Sequence, residues 1–146
     1  MSKKKNKNKK YKNKYLDKIG YTTSAHEELF YKMTNDKRNK IWEKERETYG
    51  GYDSRFTWCA NTLLIEEVYT IVKMYLKFSN VDLTFHKFDY RGFEVTQEEG
   101  LKFITKRLKY VLKHNESFDK VVMDKCYKKT KEAFEMLGVI LPALWW

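Results

Sequence analysis

The chain has 146 residues, 30 basic and 20 acidic side chains and a net charge of +10, with 42% hydrophobic and 16% aromatic residues. That is enough apolar material for one domain with one core. There is no run of eighteen apolar residues that could span a membrane, and the lysine-rich start lacks the hydrophobic segment of a secretory signal.

Residues 1–19, MSKKKNKNKKYKNKYLDKI, carry nine lysines and one aspartate, so eight of the ten net charges lie there and the rest of the chain is only +2. Mutual repulsion and scant apolar surface predict that 1–19 is a disordered Lys/Asn-rich tail ahead of a single helical domain over 20–146. Lys3, Lys4, Lys5, Lys7, Lys9, Lys10, Lys12 and Lys14 are the candidates for contact with nucleic-acid phosphates through counterion release, with Tyr11 and Tyr15 available to stack on bases.

Six glycines and a single proline favour long helices over a turn-rich β architecture. A first helical region is expected from Ser24 to about Thr48, broken near Thr34-Asn35-Asp36, with Leu29, Phe30, Met33, Ile41 and Trp42 as its apolar positions and Gly50-Gly51 as its stop. A second helix, capped by Asp53 or Ser54, is expected from Arg55 to about Phe78. Trp58, Ile65, Val68, Val72 and Leu76 form its stripe, and Leu64, Ile71 and Tyr75 widen it. A helix apolar on most sides predicts a central rod enclosed by others.

Residues 80–95 break this periodicity. Val81, Leu83 and Phe85 alternate and Asp89-Tyr90-Arg91-Gly92 reads as a turn, which fits either a small hairpin or an ordered loop with aromatic anchors. Thr96 then offers a cap, followed by Gln97-Glu98-Glu99, where carboxylates suit a helix N-terminus. This third helix puts Leu101, Ile104, Leu108, Val111 and Leu112 on one side and Lys102, Lys106, Lys109 and Lys113 on the other. A fourth helix, capped by Ser117, runs towards Leu141 with Val122, Cys126, Ala133, Leu137, Ile140 and Leu144 inward. Pro142 ends it, and Trp145 and Trp146 are expected to plug the bundle. The fold class predicted is mainly α, a compact bundle of about four helices with a disordered basic tail.

Cys59 and Cys126 are too far apart for a metal or redox pair and read as reduced, buried thiols of an intracellular protein. His26, His86 and His114 lack a second ligand at metal spacing, so no metal and no cofactor is expected. Glu132 and Glu135 have the Glu-x-x-Glu spacing of all-helical nucleotide pyrophosphohydrolases. Only Glu66-Glu67 could supply the second acidic pair, so no complete catalytic constellation is present. Binding chemistry is better represented. Trp42 to Asn61 sets Arg46, Tyr52, Asp53, Arg55, Trp58 and Asn61 around one turn. There Arg55 and Asn61 can donate to an anion and Trp58 or Tyr52 can stack on a nucleotide base. The same residues also have a structural reading, in which Asp53 caps a helix, Arg55 pairs with Glu45 or Glu47 and Trp58 fills core. Lys102, Lys106 and Lys109 similarly present either a solvated helix face or an anion-contacting one. Residues 20–99 sum to −3 and 100–131 to +7, an asymmetry that suits an anionic ligand or self-association into a homo-oligomer.

Trp42, Arg46, Gly51-Tyr52-Asp53, Trp58, then Val95-Thr96-Gln97-Glu98-Glu99 and the closing Leu144-Trp145-Trp146 follow one another in an order that resembles a family of small tailed-bacteriophage proteins. Four positions depart from its pattern: Arg55 stands at an acidic position, Ala60-Asn61 replaces Leu-Asp, and Gly100 replaces a tryptophan. The resemblance implies a phage accessory protein in the host bacterial cytoplasm, used in host takeover or against host defence. With no catalytic constellation, the charge-segregated body, the Trp42 to Trp58 turn and the lysine-lined helices then suit action by sequestering an anionic nucleotide signal or by blocking a host defence protein. A nucleic-acid-associated role through the tail and a structural or assembly role in the particle are the alternatives.

Overall fold

The computed structural model describes residues 13–21 and 36–145, and over them the chain is mainly helical with one small hairpin. In order, the elements are α1 (Lys14–Lys18), α2 (Asn39–Thr48), a 3₁₀ turn (Ser54–Thr57), α3 (Ala60–Phe78), β1 (Lys87–Tyr90), β2 (Phe93–Thr96), α4 (Gln97–His114), α5 (Lys120–Ile140) and a closing 3₁₀ turn (Leu141–Ala143). The pairing of α4 with α5 is the most extensive contact; α3 lies on α4, α1 lies on α3, and the hairpin rests against α4 and α5. Leu29, Phe30, Met33, His26, the expected helix break near 34–35, Trp146 and residues 1–12 lie outside the described residues.

Residues 13–19, counted in the expected disordered tail, are ordered and packed. The Asn13 side chain accepts hydrogen bonds from the Tyr15 and Leu16 backbone N–H groups, capping α1, and its Nδ2 donates to Thr70 Oγ1 at 2.8 Å. Leu16 is buried in the main core, and Tyr15 and Ile19 pack around it. One cap and three apolar residues dock a short helix whose two lysines stay solvent-exposed.

In α2, Trp42 is buried but Ile41 is exposed. The helix stops at Gly50 and Gly51, both left-handed (φ +63° and +95°), with the Gly51 N–H donating back to the Arg46 carbonyl at 2.8 Å. The single helix expected from Arg55 is two elements. Asp53 caps only the 3₁₀ turn, Cys59 is non-helical (φ −141°, ψ 45°), and α3 starts at Ala60.

Along α3 the buried residues are Leu63, Glu66, Tyr69 and Val72, while Ile65, Val68 and Leu76 are half-buried. Leu64, Ile71, Met74 and Phe78 face solvent, and Trp58 is 51% exposed, so the helix is not enclosed on all sides. The buried Glu66 is held by Tyr21, whose hydroxyl hydrogen-bonds to it and accepts from Asn115 Nδ2 at 3.3 Å. Burial and the adjoining Glu66 carboxylate push the Tyr21 hydroxyl far above its usual range. A polar partner on the neighbouring segment therefore rotates the inner face of α3 away from its most apolar stripe.

Residues 87–96 form the hairpin, with Tyr90 opposite Phe93 and Lys87 opposite Thr96. Its two turn residues, Arg91 (φ 51°) and Gly92 (φ 82°), are both left-handed, the geometry that matches strand twist in two-residue hairpins. Tyr90 meets Phe103 edge-on at 5.4 Å, and Arg91 ties the turn to Glu135 at 2.6 Å. The α4 helix then begins with a full capping box between Thr96 and Glu99. Its buried face holds Leu101, Ile104, Leu108, Val111 and Leu112 as expected. Gly100 brings α5 close: a Cβ there would lie 3.1 Å from Ile140 Cγ2 and 3.2 Å from Met136 Sδ.

The cap of α5 is Asp119 rather than Ser117, and its deepest residues are Ala133, Met136 and Ile140. Val122, Cys126, Leu137 and Leu144 are only half-buried. Trp145 is 68% exposed and plugs nothing. Both cysteines are free and half-buried, and burial pushes the Cys126 thiol up, which keeps it protonated. Among the described residues no helix is long and apolar enough to cross a membrane.

Candidate functional site

The turn that carries Arg46, Tyr52, Asp53, Arg55, Trp58 and Asn61 closes on itself. Asp53 is buried, and two arginines converge on it. Arg55 is bidentate, with Nε 2.9 Å from Oδ1 and Nη2 2.7 Å from Oδ2, while Arg46 Nη1 lies 2.7 Å from Oδ2. The same carboxylate caps the 3₁₀ turn through the Arg55 backbone N–H. Burial pushes the Asp53 carboxyl up, yet the hydrogen bonds from Arg55 and Arg46 outweigh it and hold the group below the usual carboxylate range. The Arg55 guanidinium also sits 4.5 Å from the Trp42 ring, and Arg38 lies over Trp42 and Trp58 at 5.0 and 5.2 Å. Arg55 is therefore a buried structural cation, not an anion donor, and its carboxylate is Asp53 in place of the expected Glu45 or Glu47. Glu45 instead accepts from the Ser54 backbone N–H at 2.7 Å. Tyr52 is exposed and edge-on to Phe56, and Asn61 is exposed on the first turn of α3. The structure gathers Arg46, Asp53, Arg55 and Trp58 into a packing knot.

A recess does exist elsewhere. Between α1, α3 and α4 lies a groove of about 370 Å³ lined by Lys14, Tyr15, Lys18, Ile19, Tyr69, Lys73, Thr105, Lys106 and Lys109. Helical spacing builds it. Lys14 and Lys18, Tyr69 and Lys73, and Thr105 and Lys109 are each four residues apart, so every helix contributes one ridge of residues to the same space. Its described lining contains five lysines and no carboxylate. Lys73 Nζ lies 5.8 Å from the centre of the Tyr15 ring, and burial pushes the Tyr69 hydroxyl up, keeping it a donor. Thr105 is buried, with its hydroxyl donating to the Lys102 carbonyl at 3.1 Å. Like charges gathered along one open groove raise the positive potential over it.

Three of the sequence candidates meet here: Lys14 from the supposed tail, and Lys106 and Lys109 from the lysine stripe. Lys102 does not join them; it pairs with Glu98 at 2.5 Å one turn earlier. Lys3, Lys4, Lys5, Lys7, Lys9, Lys10 and Lys12 lie outside the described residues. Tyr15 was weighed only as a stacking ring of the tail, and Lys18, Tyr69 and Lys73 went unnoticed as site residues. The signal was the paired four-residue spacing on α1 and α3, which means nothing until the two helices are known to touch.

The carboxylates weighed for metal chemistry have other occupations. Glu132 accepts from Arg107 Nε at 2.7 Å, Glu135 from Arg91 and Tyr90, and Glu66 from Tyr21. Among the described residues no three His, Cys, Asp or Glu side chains cluster for a metal. Compared with known proteins, the chain matches no family model, no curated protein and no solved structure.

Proposed function

We propose that the chain is a non-catalytic binding protein that captures an anionic nucleotide in the groove between α1, α3 and α4. The supporting observation is the convergence of Lys14, Lys18, Lys73, Lys106 and Lys109 on a volume lined by two tyrosines and no described carboxylate. Ammonium groups neutralise phosphate without demanding one geometry, and a tyrosine ring at the wall offers a face for a base. The volume falls in the range of small-ligand sites. Taken with the resemblance at Trp42–Asp53 and Thr96–Glu99, this favours a phage accessory protein that removes a nucleotide signal in the host cytoplasm.

The test is calorimetric titration with mono-, di- and cyclic nucleotides at two salt concentrations. Binding is expected to weaken with salt, and Lys106→Glu and Lys109→Glu should each lower affinity on the order of tenfold with unchanged melting. Affinity indifferent to both substitutions, or no binding at low salt, overturns the proposal.

A second reading, a nucleic-acid-associated protein, is favoured by one feature. Lys14 and Lys18 form a wall of the groove, and residues 1–12, which precede them in sequence, hold seven more lysines. Deleting 1–12, and not 1–19, separates the two readings, because Asn13, Leu16 and Ile19 belong to the fold. A nucleotide binder keeps its ligand after that deletion, whereas a duplex binder loses most of its affinity and its salt dependence.

A further inference from the structure

We propose that the outer face of α3 is a homodimer interface, on which a second copy of the chain lies antiparallel about a twofold axis at Ile71. Leu64, Ile71, Met74 and Phe78 are all exposed on this helix, Ile71 at 61%. Positions 64, 71 and 78 are seven apart and drift only about 20° per step, so they form one seam. Glu67 is the only charged residue among 64, 67, 71, 74 and 78. Lys77 stands at the seam's edge, its Nζ 5.1 Å from the Phe78 ring.

The seam is self-complementary. Leu64 and Phe78 are equidistant from Ile71, so turning one helix end for end against another sets Leu64 on Phe78 of the second copy and Ile71 on itself. The same operation sets Glu67 opposite Tyr75 of the second copy, within two residues of Lys77, or ~3 Å along the axis, and it does so twice, once on each side of the axis. Opposite charges and matched apolar side chains are what an isologous contact requires, and a second copy supplies both by symmetry. The seam spans the fifteen residues from 64 to 78, ~21 Å of helix. Tyr69 and Lys73 project from the other side of α3, so pairing leaves both lysine grooves open, and this inference does not depend on the ligand proposed above.

The mass of the full chain in sedimentation equilibrium tests it. The wild type is expected to be a dimer, and Ile71→Glu, which sets two carboxylates against each other on the axis, a monomer with unchanged circular dichroism and melting. Glu67→Lys and Lys77→Glu should each weaken association on the order of tenfold, because each makes two like-charge contacts, and the double variant should restore it. Only an antiparallel pairing of these residues gives that rescue. A wild-type monomer at millimolar concentration, a dimer that survives Ile71→Glu, or a double variant no better than the singles overturns the proposal.

Discussion

Replacing Asp53 by alanine tests whether the Arg46–Asp53–Arg55 knot is structural. The Asp53 side chain is fully buried, that of Arg55 is 6% exposed, and that of Arg46 is 32% exposed. Removing the carboxylate strands the Arg55 guanidinium, and breaking a buried pair costs about 3–5 kcal/mol. The lost cap of the 3₁₀ turn adds about 1 kcal/mol, whereas the solvated Arg46 bond adds little. Arg55 keeps its place over Trp42, which offsets part of the loss, so the expected destabilisation is about 3 kcal/mol, or a melting temperature lower by roughly 10 °C for a chain this long. Urea unfolding followed by far-ultraviolet circular dichroism measures it. Asparagine, which still caps but carries no charge, should cost about 2 kcal/mol. Because the folded Asp53 carboxyl lies below its unfolded value near 3.8, its contribution is present above pH 4 and disappears as pH falls through the folded value. Wild type should therefore lose this increment in acid, and Asp53→Asn should not. A cost under ~1 kcal/mol for Asp53→Ala, joined to loss of nucleotide binding, would refute the reasoning and return the knot to the list of ligand sites.

Three further outcomes are expected. Tyr21→Phe leaves the buried Glu66 without its phenol partner and should cost about 1–3 kcal/mol in urea unfolding. Since the folded Tyr21 hydroxyl lies above its usual value of 10, that contribution is intact below pH 10 and is lost as pH rises further, so the gap between wild type and variant should narrow in strong alkali. Thr96→Ala removes one half of the capping box of α4 and should cost about 1 kcal/mol by the same assay. Gly100→Trp, which installs the residue of the resembling family, places an indole where a single Cβ already meets Ile140 and Met136 at 3.1 and 3.2 Å. It should prevent cooperative unfolding, seen as loss of the thermal transition, unless α4 and α5 repack.

Where a local rule was enough, the chain declared itself. Thr96 with Glu99 set the start of α4, and the spacing of Leu101, Ile104, Leu108, Val111 and Leu112 set its buried side, because one face was apolar and the other lysine. Gly50-Gly51 ended α2, since few other residues reach those backbone angles, whereas Asp89-Tyr90-Arg91-Gly92 read as a turn without deciding between a hairpin and an ordered loop. Local rules did not decide between equivalent faces. The α3 helix has apolar residues on most sides, and its inner face was chosen by Tyr21 reaching Glu66 and by the shape of α4, both remote in sequence. Lys14 read as part of a tail because charge composition is additive along a chain, while docking depends on whether a core lies nearby to receive Leu16. The groove is the strongest instance. Its lysines come from three helices separated by dozens of residues, each an ordinary solvated lysine on its own helix, and only packing turns five scattered charges into a single field.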